Sequence, residues 1–148
     1  MAERLIVVSN RIPMGDNPSG GLVVALHDAL ARSGGVWLGA HPETGDGSEP
    51  LEEVGRTPYQ RLTQEQLDNY YLGFSNSVLW PLCHRRGDLI DMQRDYVDAY
   101  SQVNARVAQL IADIVTPDDL IWIHDYHFFP LARELRALGV LNRIGFFL

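Results

Sequence analysis

The sequence predicts an α/β domain with a Rossmann-like parallel sheet and flanking helices, and three observations support that fold class. First, four short apolar runs stand apart in the 148 residues, at positions 5–8, 36–38, 120–123 and 144–148. Second, each run is continuous and does not alternate, as expected for strands covered on both faces of a parallel sheet. Third, helical patterns lie between the runs, and such alternation is typical of doubly wound domains.

Two helices are predicted in the first half of the chain. Residues 21–32 place apolar side chains on one face, and a glycine pair at positions 34 and 35 follows as a stop signal. Thr63 and Gln66 form a capping-box pattern ahead of the second helix. Between them, residues 42–58 are rich in glycine, proline and acidic residues, so we expect a surface loop there.

Two further helices are predicted in the second half. An apolar stripe with helical spacing spans residues 88–115, from Leu89 and Met92 onward, and Pro117 ends it. A single helix of that length is unusual, so we expect a break near positions 94 and 95. Residues 128–138 form the last predicted helix, with a proline in its first turn and a glycine behind it.

The amino-acid composition argues against several classes of function. With 12 basic and 19 acidic residues the net charge is −7, which disfavours a dedicated nucleic-acid binder. Every basic residue is arginine, so the chain holds neither a phosphate-loop lysine nor a Schiff-base lysine. No apolar run approaches the roughly 18 residues of a membrane span. The single Cys83 cannot form an internal disulfide, so we expect a reducing, cytoplasmic setting.

Polar residues follow two of the predicted strands, at the edge where open α/β sheets bind ligands. The first strand runs into Arg11, whose forked guanidinium suits a phosphate or carboxylate, although a surface ion pair is an equal alternative. Gly20 and Gly21 open the first helix with N–H groups suited to a phosphate, but a flexible helix entry is the plainer interpretation.

The third strand runs into His124-Asp125-Tyr126-His127, which allows three interpretations. Imidazole and carboxylate are common metal ligands, but no second cluster of such residues accompanies them. A polar strand end that hydrogen-bonds its own loop is more plausible. Alternatively, the Asp125 carboxylate is suited to accept two hydroxyl donors of a sugar.

An aromatic stretch, residues 70–81, offers a further candidate surface. Rings with polar tips, such as Tyr71 and Trp80, can stack on a sugar face and hydrogen-bond it. Core packing is the competing interpretation and is favoured for Phe74. It is left open for Trp80, which lies beside a proline in chain that we expect to be irregular.

Together these segments resemble the trehalose-6-phosphate synthase family of retaining glycosyltransferases. The matching stretches are VVSNRIP (7–13), GGL (20–22), YYLGFSNSVLWPLCHRR (70–86), VNARVA (103–108), WIHDYHFFPLARELR (122–136) and NRIGFFL (142–148). They cover nearly the whole chain in the family's order and spacing. Matches of this length are far more specific than any single motif above.

The resemblance implies that residues 1–148 form most of the N-terminal, acceptor-binding domain of a GT-B glycosyltransferase, without its C-terminal donor-binding domain. Carried over by motif, the family's glucose 6-phosphate contacts are Arg11, Tyr71, Trp80 and Asp125. The glycine pair near the donor diphosphate corresponds to Gly20 and Gly21. A family active-site histidine is expected just after Leu148, so no catalytic residue is expected within the chain. Ala40 and His41 stand where relatives often carry a second tryptophan.

For the complete enzyme the resemblance implies retaining transfer of glucose from a nucleotide-glucose, with UDP-glucose expected, to glucose 6-phosphate in trehalose biosynthesis. It implies no cofactor, no metal and no protein nucleophile, because the departing diphosphate can itself take the acceptor's proton. We expect the 148-residue chain alone to be inactive. No nucleic acid or membrane partner is expected, and the sequence leaves a homo-oligomer and the donor base open.

Three rival functions are left open by the sequence. The first is a pseudo-glycosyltransferase of the same fold that uses cyclitols instead of glucose units. The second is a non-catalytic module that binds a sugar phosphate. The third is a metal hydrolase with ligands at His124, Asp125 and His127.

Overall fold

The computed structural model describes residues 4–12, 21–47, 52–54 and 57–148. In chain order its strands are β1 (Leu5–Arg11), β2 (Val36–Ala40), β3 (Glu52–Val54), β4 (Thr57–Gln60), β5 (Leu120–His124) and β6 (Arg143–Phe147). Its α-helices are α1 (Gly21–Ser33), α2 (Gln64–Gln66), α3 (Trp80–Cys83), α4 (Arg94–Ile114) and α5 (Leu131–Ala137). A π-helix (Leu67–Leu79) joins α2 to α3, and 3-10 turns lie at Gly87–Leu89 and Tyr126–Phe128.

The strands form one six-stranded sheet in the order β3-β4-β2-β1-β5-β6. Neighbouring strands are parallel except β3 and β4, which are antiparallel. The four strands predicted from the apolar runs are therefore confirmed, and they lie side by side as β2-β1-β5-β6. Because these strands share one direction, their carboxyl ends meet at one edge of the sheet, the edge at which such folds bind ligands.

Helices cover both faces of the sheet, which explains why its central strands are continuously apolar. On one face the π-helix, α4 and α5 pack over the central strands, burying Ile6, Val8, Ile121 and Ile123. On the other face Leu26 of α1 packs with Val7 and Trp37. Helices on both sides of a mostly parallel sheet confirm the predicted α/β class. Among the described helices, none is both long and apolar enough to cross a membrane.

The prediction of a surface loop over residues 42–58 was wrong in part. Residues 42–58 are not one continuous loop, because β3 and β4 pair within and just beyond this stretch. β3 is the outermost strand, and β4 lies between it and β2. Both strands are short, so no apolar pattern marks them. β6 lies at the opposite margin of the sheet, where Phe146 and Phe147 are 45% and 55% exposed.

The helical segment after Thr63 is longer than predicted. Its capping box is confirmed, since Gln66 N donates to Thr63 Oγ1 at 3.1 Å and Thr63 N donates to Gln66 Oε1 at 3.0 Å. Helical backbone then continues through Cys83, so the prediction that Trp80 lies in irregular chain is wrong. Pro81 lies just after the π-helix passes into α3, and the helical backbone runs on through it.

The long apolar stripe is interrupted where a break was expected. α4 begins at Arg94 and ends before Pro117. The preceding residues form a 3-10 turn and extended chain, so the placement of Leu89 and Met92 on the helical stripe was wrong. Their side chains are 50% and 54% exposed. The helical spacing of apolar residues extends across positions 88–93, although the backbone there is not α-helical.

An ion pair joins the start of β1 to the turn before β5. Arg4 Nη2 and Nε donate to the two carboxylate oxygens of Asp119 at 2.6 and 2.9 Å, and Thr116 N donates to Asp119 Oδ2 at 2.7 Å. Burial raises the pKa of the Asp119 carboxyl, but the hydrogen bonds from Arg4 and Thr116 outweigh it and hold that pKa below its usual value. This carboxylate therefore anchors two central strands at their amino ends.

We expect Asp119→Ala to lower the free energy of unfolding by about 2 kcal/mol, because it leaves Thr116 N and the Arg4 guanidinium without their acceptor. Urea denaturation followed by circular dichroism measures this loss. The neighbouring exposed Asp118 supplies the control, and Asp118→Ala should change stability by less than about 0.5 kcal/mol. Equal stability of the two variants would show that the pair contributes nothing.

Candidate functional site

Three parallel strands end at the same edge of the sheet, and two of them, β1 and β5, deliver polar residues there. β1 ends at Arg11, β2 ends at Ala40, which pairs with Arg11, and β5 ends at His124. The β1–β2 register shifts between Val8 and Arg11. Within that shift Ser9 Oγ accepts a hydrogen bond from Trp37 Nε1 at 2.8 Å and donates to Arg11 O at 2.7 Å. This irregular strand end fixes the backbone from which the Arg11 side chain extends.

Arg11 and Tyr71, two of the predicted site residues, are brought together. The exposed Arg11 guanidinium carbon lies 4.9 Å from the centre of the Tyr71 ring, a cation–π arrangement. Tyr71 comes from the π-helix and Arg11 from β1, so the contact joins two elements 60 residues apart in sequence. The arrangement holds a fixed cation at the sheet edge while leaving its donors open to solvent.

Behind Tyr71 lies a stack of rings that we call the aromatic platform, consisting of Tyr71, His127 and Tyr126. The His127 ring lies 5.7 Å from that of Tyr71 and 4.3 Å from that of Tyr126, at interplanar angles of 25° and 28°. The Tyr126 hydroxyl donates to Asn76 Oδ1 at 3.0 Å. Burial raises the pKa of Tyr126 to about 12, so this hydroxyl keeps its proton at neutral pH.

Asp125 occupies a strained backbone conformation at the end of β5. Its φ is +76°, a region that non-glycine residues seldom adopt. Asp125 N donates to Phe147 O at 2.8 Å, and Asp125 Oδ1 accepts from Tyr126 N at 3.0 Å. The prediction of a strand end that hydrogen-bonds its own loop is thus confirmed, and the residue is also exposed to solvent. Backbone strain of this kind is often found at functional sites.

Trp80 stands apart from the contact between Arg11 and Tyr71. Its ring stacks on that of His84 at 4.1 Å and is 43% exposed. It lies four residues after Asn76, which bonds Tyr126, so it follows the aromatic platform along the same helical segment. Trp80 therefore lies on the same helical segment as Tyr71 and Asn76 and is partly exposed.

The predicted glycine pair is only partly described. Gly20 lies outside the described residues, and Gly21 is the first residue of α1. The helix thus begins where the sequence predicted. That the backbone N–H groups of Gly20 and Gly21 bind a phosphate stays a prediction.

The two histidines beside Asp125 are both buried, in separate surroundings. His124 packs against Trp122 at 4.5 Å, whereas His127 lies in the aromatic platform. Burial lowers the pKa of both, to about 4 for His127, so both rings are neutral at pH 7. Within the described part of the chain, no group of three potential ligands converges on a metal position.

Sequence reasoning missed several residues that shape the site. His127 was considered as a metal ligand, whereas the structure places its ring in the stack. Asn10 accepts a hydrogen bond from Tyr70 Oη at 2.8 Å and lies beside Arg11 in a recess that Ala40 and His41 also line. The position of Asn10, a polar residue at the end of the first predicted strand, is a sequence signal that could have identified it. No sequence pattern indicates which rings stack.

The chain was compared with known proteins. The sequence profile of glycosyltransferase family 20 matches residues 4–148. A trehalose-6-phosphate synthase of Klebsiella pneumoniae is 47% identical over 98% of this chain and 32% of its own length. The chain therefore spans about a third of the length of the curated relatives that it matches.

Solved structures agree with this match. An alpha,alpha-trehalose-phosphate synthase (UDP-forming) from Burkholderia vietnamiensis superposes with a TM-score of 0.90 at 46% identity, covering 100% of this chain and 33% of that one. An enzyme of the same description from Burkholderia xenovorans, in complex with glucose-6-phosphate, superposes with a TM-score of 0.81 at 44% identity, over 98% of this chain and 33% of that one.

Proposed function

Because the chain belongs to glycosyltransferase family 20, we propose that it forms most of the acceptor-binding domain of a trehalose-6-phosphate synthase. The complete enzyme transfers glucose from a nucleotide-glucose, UDP-glucose above all, to glucose 6-phosphate and releases trehalose 6-phosphate. The similarity to a UDP-forming enzyme and to one in complex with glucose-6-phosphate supports this donor and this acceptor.

The observation that carries the proposal is that the neighbouring strands β1 and β5 place one cation and one carboxylate at the same carboxyl edge of the sheet. Arg11 lies over Tyr71, and Asp125 flanks the aromatic platform that backs the same tyrosine. A sugar phosphate presents the complementary groups, since its phosphate suits a guanidinium and its hydroxyls suit a carboxylate. Arg11 therefore binds the acceptor phosphate, and Asp125 accepts hydrogen bonds from acceptor hydroxyls.

Tyr71 and Trp80 complete the acceptor site in this proposal. The Tyr71 ring holds the Arg11 guanidinium on one side, and Trp80 offers a half-exposed ring to the sugar. Aromatic rings pack well against sugar faces because both surfaces are flat and partly apolar. Gly20 and Gly21, at the entry to α1, approach the donor diphosphate, which backbone N–H groups there can bind.

The chemistry proposed for the complete enzyme depends on positioning. The acceptor's 1-hydroxyl oxygen forms a bond to the donor's anomeric carbon, on the face from which the nucleotide leaves. The bond from that carbon to the diphosphate breaks, and the diphosphate takes the hydroxyl proton. Configuration is retained because the new bond forms on the face from which the diphosphate leaves. Holding the donor and the acceptor in reactive orientation accounts for much of the rate enhancement in such a mechanism. Arg11 and Asp125 contribute by fixing where the 1-hydroxyl lies.

We place the protein in the cytoplasm, where sugar phosphates and nucleotide sugars are made. The free, exposed Cys83 supports a reducing compartment. A compact acceptor domain of this kind works without nucleic acid, membrane or cofactor.

The test is a transfer assay on a protein that carries this segment together with its donor-binding domain. UDP-glucose and glucose 6-phosphate should yield UDP and trehalose 6-phosphate in equal amounts, identified by mass spectrometry. The same assay is run in parallel with cyclitol donors and acceptors. Turnover of cyclitols with no turnover of the sugar pair would overturn the proposal in favour of a pseudo-glycosyltransferase, and binding without any turnover would favour a non-catalytic module.

A further inference from the structure

Two polar side chains of α4 fasten the loop that carries Asp125. Tyr100 is 6% exposed, and its hydroxyl donates to Tyr126 O at 2.7 Å while accepting from Phe129 N at 3.2 Å. Asn104 is fully buried, and its Nδ2 donates to His127 O at 3.0 Å. Tyr100 and Asn104, which we call the clamp, thus bind the backbone of residues 126, 127 and 129.

The loop needs such support because its first residue is strained. The φ of +76° at Asp125 is unfavourable for a side chain with a Cβ, and strain of this kind persists only when the surroundings hold it. The clamp supplies three backbone hydrogen bonds within four residues of that position. The opposite side of the loop is tied by Asp125 N to Phe147 O.

If Asn104 served only to pack α4 against its neighbours, its polar amide would lower the stability of the fold. Asn104 Oδ1 is buried without a hydrogen-bond partner among the described residues, and a buried polar atom in that state destabilises the fold. An apolar side chain of similar size would fill the same position on α4 without that cost. The amide instead contributes two hydrogen bonds from Nδ2, to Tyr100 O of its own helix and to His127 O of the loop, both at 3.0 Å, and the second of these fastens the loop.

We propose that Tyr100 and Asn104 are positioning residues for the acceptor, a role that rests on the proposed function of Asp125. By fixing the backbone of residues 126–129 they hold Asp125 and the aromatic platform, whose Tyr71 ring contacts the Arg11 guanidinium. Both side chains are buried behind the loop, so they act through Asp125, Tyr126 and His127.

Tyr100→Phe tests the proposal by removing one hydroxyl while keeping the ring, which packs 4.6 Å from Phe74 and 5.9 Å from Tyr70. In calorimetric titration of the 148-residue chain, we expect glucose 6-phosphate to bind about tenfold more weakly. In hydrogen exchange, the Phe129 amide should exchange at least tenfold faster. Asn104→Leu should produce a similar loss of affinity.

The control is Ile111→Val, which removes one buried methylene from the same helix, away from the polar contacts to the loop. It should lower stability but leave glucose 6-phosphate affinity and Phe129 exchange as in the wild type. Wild-type affinity in Tyr100→Phe, despite faster Phe129 exchange, would overturn the positioning role and leave the proposed function standing. If the wild-type chain itself does not bind glucose 6-phosphate, the acceptor role of Asp125 fails, and that of the clamp fails with it.

Discussion

Arg11→Ala is expected to weaken glucose 6-phosphate binding by between about tenfold and a hundredfold, because charge-assisted hydrogen bonds to phosphate are among the strongest that a side chain makes. Titration calorimetry of the 148-residue chain measures the change. Arg11→Lys should recover part of the affinity, since lysine keeps the charge but loses the planar fork that grips two oxygens.

Two controls separate a phosphate contact from a general effect. Arg32→Ala removes an exposed arginine from the last turn of α1 and should leave the affinity unchanged. Binding of glucose, which lacks the phosphate, should respond far less to Arg11→Ala than binding of glucose 6-phosphate does. An equal loss for both sugars would contradict the assignment of Arg11 to the phosphate.

The second large effect is a loss of stability in mild acid, caused by His127. Its ring is 7% exposed and has no hydrogen-bond partner among the described residues, and burial lowers its pKa from 6.5 to about 4. Below pH 6.5 the unfolded chain gains a proton on this histidine while the folded chain resists it until about pH 4. The free energy of unfolding should therefore fall by about 3 kcal/mol across that interval and no further below it from this group.

Urea denaturation at pH 7, 6, 5 and 4 measures this slope. His127→Phe keeps an aromatic ring in the platform and removes the titrating group, so its stability should fall much less over the same interval. His124→Phe is the comparison, because burial also lowers the pKa of His124, and it should flatten the slope to a smaller extent. If His127→Phe lost stability as steeply as the wild type, His127 would not be the cause.

Part of the site could be predicted because it depends on local rules. Arg11 and Asp125 each follow an apolar run, and the end of a parallel strand is a place that the sequence marks and the fold confirms. The pairing of Arg11 with Tyr71 could not be derived in that way. It depends on how the π-helix lies against β1, which is decided by tertiary packing and leaves no local pattern.

The errors have physical causes of the same kind. Trp80 was expected in irregular chain because Pro81 follows it, yet Trp80 N donates to Ser75 O five residues back and the helix runs on through the proline. β3 and β4 were missed because strands of three and four residues carry no periodic signal. In both cases the conformation depends on packing against neighbouring elements, which the local composition does not reveal.

Amide-resolved NMR titration of the 148-residue chain with glucose 6-phosphate shows whether the carboxyl edge between β1 and β5 binds a sugar phosphate. The largest chemical-shift changes should fall on Arg11, on Tyr71 and on residues 125–127, and Arg11→Ala should remove them. Changes confined to the opposite edge, near Asp119 and Arg143, or no changes at saturating glucose 6-phosphate, would contradict binding at the carboxyl edge.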